Sequence, residues 1–293
     1  MKKTIIIIII SLLFCSCTSL NPARMKKYVH FETNKGEFVI GLYEGTPKHK
    51  KNFIKQCNSN VYDSCIVYYA KPNTVLKIGL TTSRQEELFL KQNYSNGKTI
   101  PAEINKKLIN KRAAIGMLHW DNSLNKDIQS DEKLFYIVEG QKYSEQLIQK
   151  YEMFQNGNYI KEYIYNDFLE RPENQKIKDS LFFLEKHRRM VDYSKFYTKI
   201  ADSVVATEAK KINSFSFSEK ESKIYSEVGG DPELNGKYTV FGEIVWNQDI
   251  VNKIATKALE QNFKPRNNIY FFNSKVMNKQ QFKKFLKKKI SKN

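Results

Sequence analysis

The chain has 293 residues, 41% of them apolar and 13% aromatic, and carries a formal charge of +18 at pH 7. Enough apolar surface is present to offset the entropy of ordering, which excludes a disordered polymer. The length fits one large domain or a domain with a sizeable insertion.

At the start, Lys2 and Lys3 precede the run Ile5 to Ile10 and then Ser11, Leu12, Leu13 and Phe14. This apolar stretch is too short for a comfortable permanent span and ends in a small residue before a cysteine, the pattern of a signal peptide over residues 1–17. Ser16-Cys17 resembles a bacterial lipoprotein cleavage site, with Cys17 as the lipidated residue and Cys15 as a competing acceptor. The expected setting is the cell envelope, facing the periplasm, with the protein held on the membrane by its N-terminal lipid anchor; ordinary secretion with cleavage elsewhere is the alternative. Residues 18–27 read as a tether. Cys57 and Cys65 then remain as thiols; their spacing permits a disulfide and equally two reduced, buried side chains.

Residues 28 to 43 alternate, with Val29, Phe31, Phe38, Ile40 and Leu42 separated by polar positions around Asn34-Lys35-Gly36, which predicts a hairpin. After Thr46-Pro47, Lys48 to Cys57 reads as a short helix opened by proline. Strand-like runs follow at Cys65 to Tyr69, Thr74 to Ile78, Ala114 to Leu118, Leu134 to Val138, Thr239 to Val240 and Ile269 to Phe272. Short strands punctuated by Gly and Pro indicate a β-barrel or sandwich.

From Tyr143 to Ile224 glycine is nearly absent and apolar residues take helical spacing: Leu147, Tyr151 and Phe154, then Tyr159, Tyr163 and Ile164. A break at Arg171-Pro172 precedes a longer helical tract to about Lys211, and Ser218-x-x-Glu221 is a capping-box signature. Residues 143–224 therefore read as a helical insertion, whose aromatic stripes serve packing or binding. At the C-terminus, Lys283, Lys284, Lys287, Lys288, Lys289 and Lys292 surround an apolar stripe of Phe282, Phe285, Leu286 and Ile290. Residues 277–293 are thus a basic helix that docks by its stripe or adheres to anionic headgroups. Nucleic acid is not an expected partner.

His30, His49, His119 and His187 are scattered and no Cys-x-x-Cys spacing occurs, so no metal or other cofactor is called for. No Ser, His and Asp arrangement supports hydrolysis. Four blocks carry a resemblance instead. Thr33-Asn34-Lys35-Gly36-Glu37-Phe38 leads to Leu42-Tyr43, Thr46-Pro47 and Asn52-Phe53; Ile100-Pro101-Ala102-Glu103 leads to Lys111-Arg112-Ala113-Ala114-Ile115-Gly116-Met117. Phe135-Tyr136-Ile137-Val138 follows, and the most specific block is Val228-Gly229-Gly230-Asp231-Pro232 with Leu234-Asn235-Gly236-Lys237-Tyr238-Thr239-Val240-Phe241-Gly242-Glu243-Ile244. In this order they resemble the cyclophilin family of peptidyl-prolyl isomerases, over residues 28–142 and 225–276. The resemblance implies a mainly β fold with helices: an eight-stranded closed barrel capped by two helices and carrying the helical insertion.

It also implies where the chemistry would lie. The segment Tyr62 to Gly79 is similar to the family's motif Tyr-Asp-Gly-Thr-x-Phe-His-Arg-Val-Ile and its continuation. On that alignment the family's catalytic arginine is Tyr69, its pocket phenylalanine Thr74 and its substrate-gripping glutamine Lys77, with Val75 beside them. Met117, Phe135 and Leu234 match apolar pocket positions and are expected to converge on one proline-receiving cleft. Leu118, His119 and Lys133 fall in the peptide groove, and Tyr238 stands at the position of a pocket histidine. Tyr69 lacks the charge and the fork of a guanidinium. The implied activity is isomerisation of proline-containing envelope polypeptides with weak or lost turnover, or non-catalytic, chaperone-like binding of them.

Overall fold

The structure, a computed structural model, describes residues 21–80, 98–119, 128–255 and 259–291. The signal segment and Cys17 lie outside these residues. The chain divides into two compact units, one formed by residues up to Gly140 and from Gly230 onward, the other by Gln141–Gly229. The helices are α1 Pro47–Asn58, α2 Glu145–Asn166, α3 Gln175–Lys186, α4 Met190–Glu208, α5 Glu219–Glu227, α6 Ile250–Ala255 and α7 Lys279–Ile290.

The first unit is built on a single antiparallel sheet. Its strands are β1 Met25–Thr33, β2 Gly36–Tyr43, β3 Ile66–Ala70, β4 Val75–Leu80, β5 Thr99–Pro101, β6 Ala114–His119, β7 Gln129–Val138, β8 Val240–Trp246 and β9 Phe271–Asn278. Eight of them run in the order β3-β4-β7-β6-β8-β2-β1-β9, and β5 adds to β7. The β1–β2 hairpin turns where expected, with Gly36 at φ +125°, a backbone that a side chain resists. Thus β8, from the late glycine-rich block, pairs directly with β2 of the opening hairpin, Leu42 opposite Gly242 and Ile40 opposite Ile244.

The two ends of the strand path meet without forming a full ladder. Phe271 N–H donates to Cys65 O (2.9 Å), Val67 N–H to Ile269 O (3.0 Å) and Ser64 N–H to Phe271 O (2.7 Å). One bridge, Ile66 to Tyr270, lies among them. The expected closed barrel is therefore a curled sheet with a stitched seam. The physical cause is in β3, whose register shifts twice between Ile66 and Tyr69; bulges raise the local twist and interrupt pairing.

Inside the curl, Phe31, Phe38, Phe53, Tyr62, Phe135 and Phe271 form one aromatic cluster, with Leu76, Ile78, Ile115 and Met117 completing the interior. Helix α1 contributes Phe53 and Cys57, and α6 contributes Ile250, Val251 and Ile254. Cys57 and Cys65 are free thiols, both buried, which resolves the open alternative in favour of reduced side chains. The tether assignment also shifts. Residues 21–24 are bonded back, Gly45 N–H to Pro22 O and Glu44 N–H to Arg24 O (2.9 and 2.8 Å), and β1 starts at Met25, whose sulfur fills the space above Gly41.

The second unit is helical. Ile164, Leu169, Leu181, Ile200 and Val204 form its core. Arg171 reaches both carboxylate oxygens of Glu208 (2.8 Å each) and the Tyr163 hydroxyl (2.7 Å), tying the end of α2 to the end of α4. The Ser218 capping box is present at the start of α5. The single tract expected up to Lys211 is instead two helices, because Arg188 takes a positive φ of 56° and ends α3. Nothing but this non-glycine turn marks the break, so helical spacing ran through it.

Candidate functional site

Strand alternation sorts the candidate residues onto two faces. On β4, Leu76 and Ile78 point into the interior, whereas Val75 joins an outer cluster; on β7, Phe135 and Ile137 are interior and Leu134, Tyr136 and Val138 outer. On β6, Ile115 and Met117 are interior, and Ala114 and Leu118 outer. Leu234, Tyr238 and Tyr69 pack on the outer cluster as half-buried members.

Lys77 stands at the centre of this outer face. It pairs with Tyr69 of β3 on one side and Tyr136 of β7 on the other. Its Nζ lies over the Tyr69 ring, 4.8 Å from the centroid, within the range of a cation–π contact. Burial lowers the Lys77 pKa from the usual lysine value, and burial raises that of the Tyr69 phenol. Phe263 meets the Tyr69 ring edge-on at 5.7 Å.

Next to Lys77, Tyr136 is only 1% exposed. Its ring occupies the space above Gly116, where an added Cβ would collide with the ring and the hydroxyl. The hydroxyl donates to Asn110 Oδ1 at 2.7 Å, and Asn110 in turn donates to Asn235 Oδ1 from its backbone N–H (2.9 Å) and its amide (3.2 Å). Asp231 N–H donates to Asn110 O (2.8 Å). Burial pushes the Asp231 carboxyl up to about 6. Tyr238 stands edge-on to Tyr136 at 5.5 Å and stacks on His119 at 4.4 Å, while His119 Nε2–H donates to Lys237 O (3.0 Å).

The sequence matches the model of the family described as cyclophilin type peptidyl-prolyl cis-trans isomerase/CLD, over residues 28–156 and 148–276. The chain belongs to this family. Similar solved structures include the Cryptosporidium parvum cyclophilin type peptidyl-prolyl cis-trans isomerase, at 13% identity and a TM-score of 0.48 over 87% of this chain and 99% of that one. The same protein solved in the presence of the dipeptide Ala-Pro gives 14%, 0.47, 86% and 99%. No curated protein matches the chain in sequence.

In this cyclophilin the outer face brings together Tyr69, Val75, Lys77, Leu118, Leu234 and Tyr238, with His119 against Tyr238. Met117 and Phe135 do not join them. They are register partners facing the interior, both fully buried, so the expected convergence of Met117, Phe135 and Leu234 on one cleft does not occur. The reason is parity: a strand residue can line only one face, and the neighbours Leu118 and Tyr136 take the outer one. Thr74 is a turn residue, its Oγ1 donating to Lys71 O (2.9 Å) and its carbonyl accepting from Glu139 and Gly140 N–H (2.9 and 3.0 Å). Lys133 is exposed; its N–H, like that of Leu134, donates to Asp131 Oδ1.

Sequence reasoning missed Tyr136 and Asn110. The run Leu134-Phe135-Tyr136-Ile137-Val138 is apolar throughout, so no polar residue marks which members face out. The signal lay in Gly116, which faces Tyr136 across the ladder and leaves room for a large ring. Among the described residues no group of three or more His, Cys, Asp or Glu side chains could hold a metal.

Proposed function

We propose that this cyclophilin binds proline-containing polypeptides on the outer face of β3, β4, β6 and β7 and isomerises them slowly, with Lys77 as the cationic donor. Rotation about an X-Pro bond breaks amide resonance against a barrier of about 20 kcal/mol. The barrier falls when a donor hydrogen-bonds the prolyl nitrogen as its lone pair localises, an interaction made only in the transition state. Tyr69 offers a neutral hydroxyl. The observation that carries the reading is the Lys77 ammonium held over the Tyr69 ring, a half-buried positive charge with donors to spare. Partial desolvation strengthens its field at the reacting atom. An ammonium lacks the planar fork of a guanidinium, so it positions the nitrogen less well.

Substrates in the cell envelope, reached by a protein tethered through Cys17, fit the basic and apolar N-terminus from Lys2 to Phe14 and the cysteine that follows. Incorporation of labelled fatty acid, lost in Cys17→Ser, tests that part separately.

An exchange assay on an Ala-Pro peptide tests the chemistry. The expected kcat/KM is roughly a hundredfold to a thousandfold below that of an arginine-bearing cyclophilin, with Lys77→Met removing what remains and Lys77→Arg preserving it. A rate equal to the arginine-bearing proteins, or one untouched by Lys77→Met, sinks the proposal. One observation favours a second, non-catalytic reading: the Tyr136 ring fills the space above Gly116 where an apolar side chain would seat. Saturable peptide binding with no acceleration at all would select it.

A further inference from the structure

Helix α7 has used its apolar stripe inside the protein. Phe282 stacks on Tyr28 at 4.2 Å, and Phe285 meets Trp246 at 5.0 Å and His30 at 4.9 Å. An Asn278–Gln281 capping box fixes its start. One of its lysines, Lys289, is held by Glu37 and lies over the rings of Trp246 and Phe285. At ~3.6 residues per turn, Lys283, Lys284, Lys287 and Lys288 fan over the opposite half of the helix. All four are exposed, and none makes an ion pair among the described residues. No residue of α7 is acidic.

At the edge of this face, Lys275 of β9 meets Lys284 and Lys288 around a cavity of about 470 Å³ floored by Phe285 and Met277. Two carboxylates line the same cavity: Glu37, engaged by His30 (2.7 Å) and Lys289, and Glu32, 3.9 Å from the other His30 nitrogen. Ile290, 74% exposed, follows directly on the lysines.

We infer that this surface is a docking face for anionic membrane lipid, with the cavity between Lys275, Lys284 and Lys288 receiving a phosphate headgroup. With Phe282 and Phe285 docked, Ile290 is the one strongly exposed large apolar residue of α7, too little to insert as a face, so adhesion is electrostatic and peripheral. The same docking withdraws the aromatic rings that a single-stranded nucleic acid would stack on. A lysine face of a single sign complements a negatively charged leaflet, where each lysine near the surface contributes about fivefold in binding.

The test is co-sedimentation of the full chain with vesicles of phosphatidylcholine, alone or mixed with phosphatidylglycerol. The readout is the ratio between the two, so whatever residues 1–20 contribute to both cancels. The chain should favour the mixed vesicles, and about 0.5 M salt should abolish the preference. Replacing Lys283, Lys284, Lys287 and Lys288 together by Gln should cut it by about a hundredfold or more, with the circular dichroism unchanged. Equal partition between the two vesicle types overturns the inference. So does a preference that the quadruple variant retains, or binding to a single-stranded RNA without binding to the mixed vesicles.

Discussion

Tyr136 and Gly116 are register partners on β7 and β6, and the tyrosine ring lies where a side chain on residue 116 would have to go. The glycine is therefore a packing requirement set by one particular ring. It keeps the outer face of the sheet closed beside Lys77, and the hydroxyl bond to Asn110 holds the ring there.

Gly116→Ala should destabilise the protein by about 1–3 kcal/mol, the usual cost of forcing extra atoms into a packed site. In a Tyr136→Leu background the added methyl should cost under ~1 kcal/mol, since the smaller side chain vacates the space. Urea unfolding of the four proteins of this cycle measures the coupling. Equal costs in both backgrounds would show that the ring and the glycine do not constrain each other.

Lys77 separates function from stability. Its folded pKa lies below the unfolded one because burial disfavours the charge. The unfolded chain therefore holds the proton more tightly, and the folded state bears a cost at neutral pH that fades as pH rises through the ordinary lysine range near ~10.4. Lys77→Met should be at least as stable as the parent at pH 7, with the gap closing as pH rises to about 10.4, while its isomerase rate falls. A variant that loses rate and stability together at pH 7 would point to a structural lysine.

Much of the fold was legible because its signals are local. Asn34-Lys35-Gly36 specifies the hairpin, Thr46-Pro47 starts α1, Ser218 and Glu221 cap α5, and the block from Val228 to Ile244 carries the family. What escaped was non-local. Glu103 caps α1 from 54 and 55 residues away, accepting from the N–H groups of His49 and Lys48 (2.9 and 3.0 Å). Thr99–Pro101 is a strand only because β7 offers it an edge. The apolar run around Phe135 has no parity of its own and acquires one only when Met117 pairs with it. The outer site was misjudged at Met117 and Phe135 for this reason: alignment fixes a position along a strand, whereas the face depends on bulges and partners.

Acid should weaken the sheet unit through His49. Its Nδ1 faces the Glu103 carboxylate at 2.8 Å and must carry the proton, so Nε2 accepts from the Ser130 hydroxyl at 3.0 Å. Burial, the dominant cause, lowers the folded pKa despite Glu103. The unfolded chain takes up the second proton first, so this contribution is complete above about pH 6.5 and declines as pH falls below it. Melting curves between pH 8 and 5 should slope less in His49→Asn than in the parent. Parallel slopes would remove His49 from the account.

Asp231 has the opposite sign. Its folded pKa is raised to about 6 by burial, so the folded state binds the proton more tightly than the unfolded one. Stability from this group is present below about pH 4 and lost as pH rises to about 6. Asp231→Asn keeps an oxygen for the Glu233 N–H. It should be more stable than the parent at pH 8, on the order of 2 kcal/mol, and equal to it near pH 4. A variant less stable than the parent at pH 8 would mean that the charge itself is needed by the turn.

The two interior thiols should be chemically silent in the folded protein. Burial pushes the Cys65 thiol up to about 12 and raises that of Cys57 as well; the Cys65 thiol also donates to Val61 O at 3.3 Å. Only the thiolate attacks an alkylating reagent, and at pH 8 a thiol of that pKa is ionised about one part in ten thousand. Peptide mapping after iodoacetamide should find residues 57 and 65 unmodified in native protein and fully alkylated after unfolding in urea. Native alkylation at the rate of an exposed cysteine, or a peptide linking Cys57 to Cys65 through sulfur, would mean that the interior around Tyr62 and Phe53 opens far more often than its packing implies.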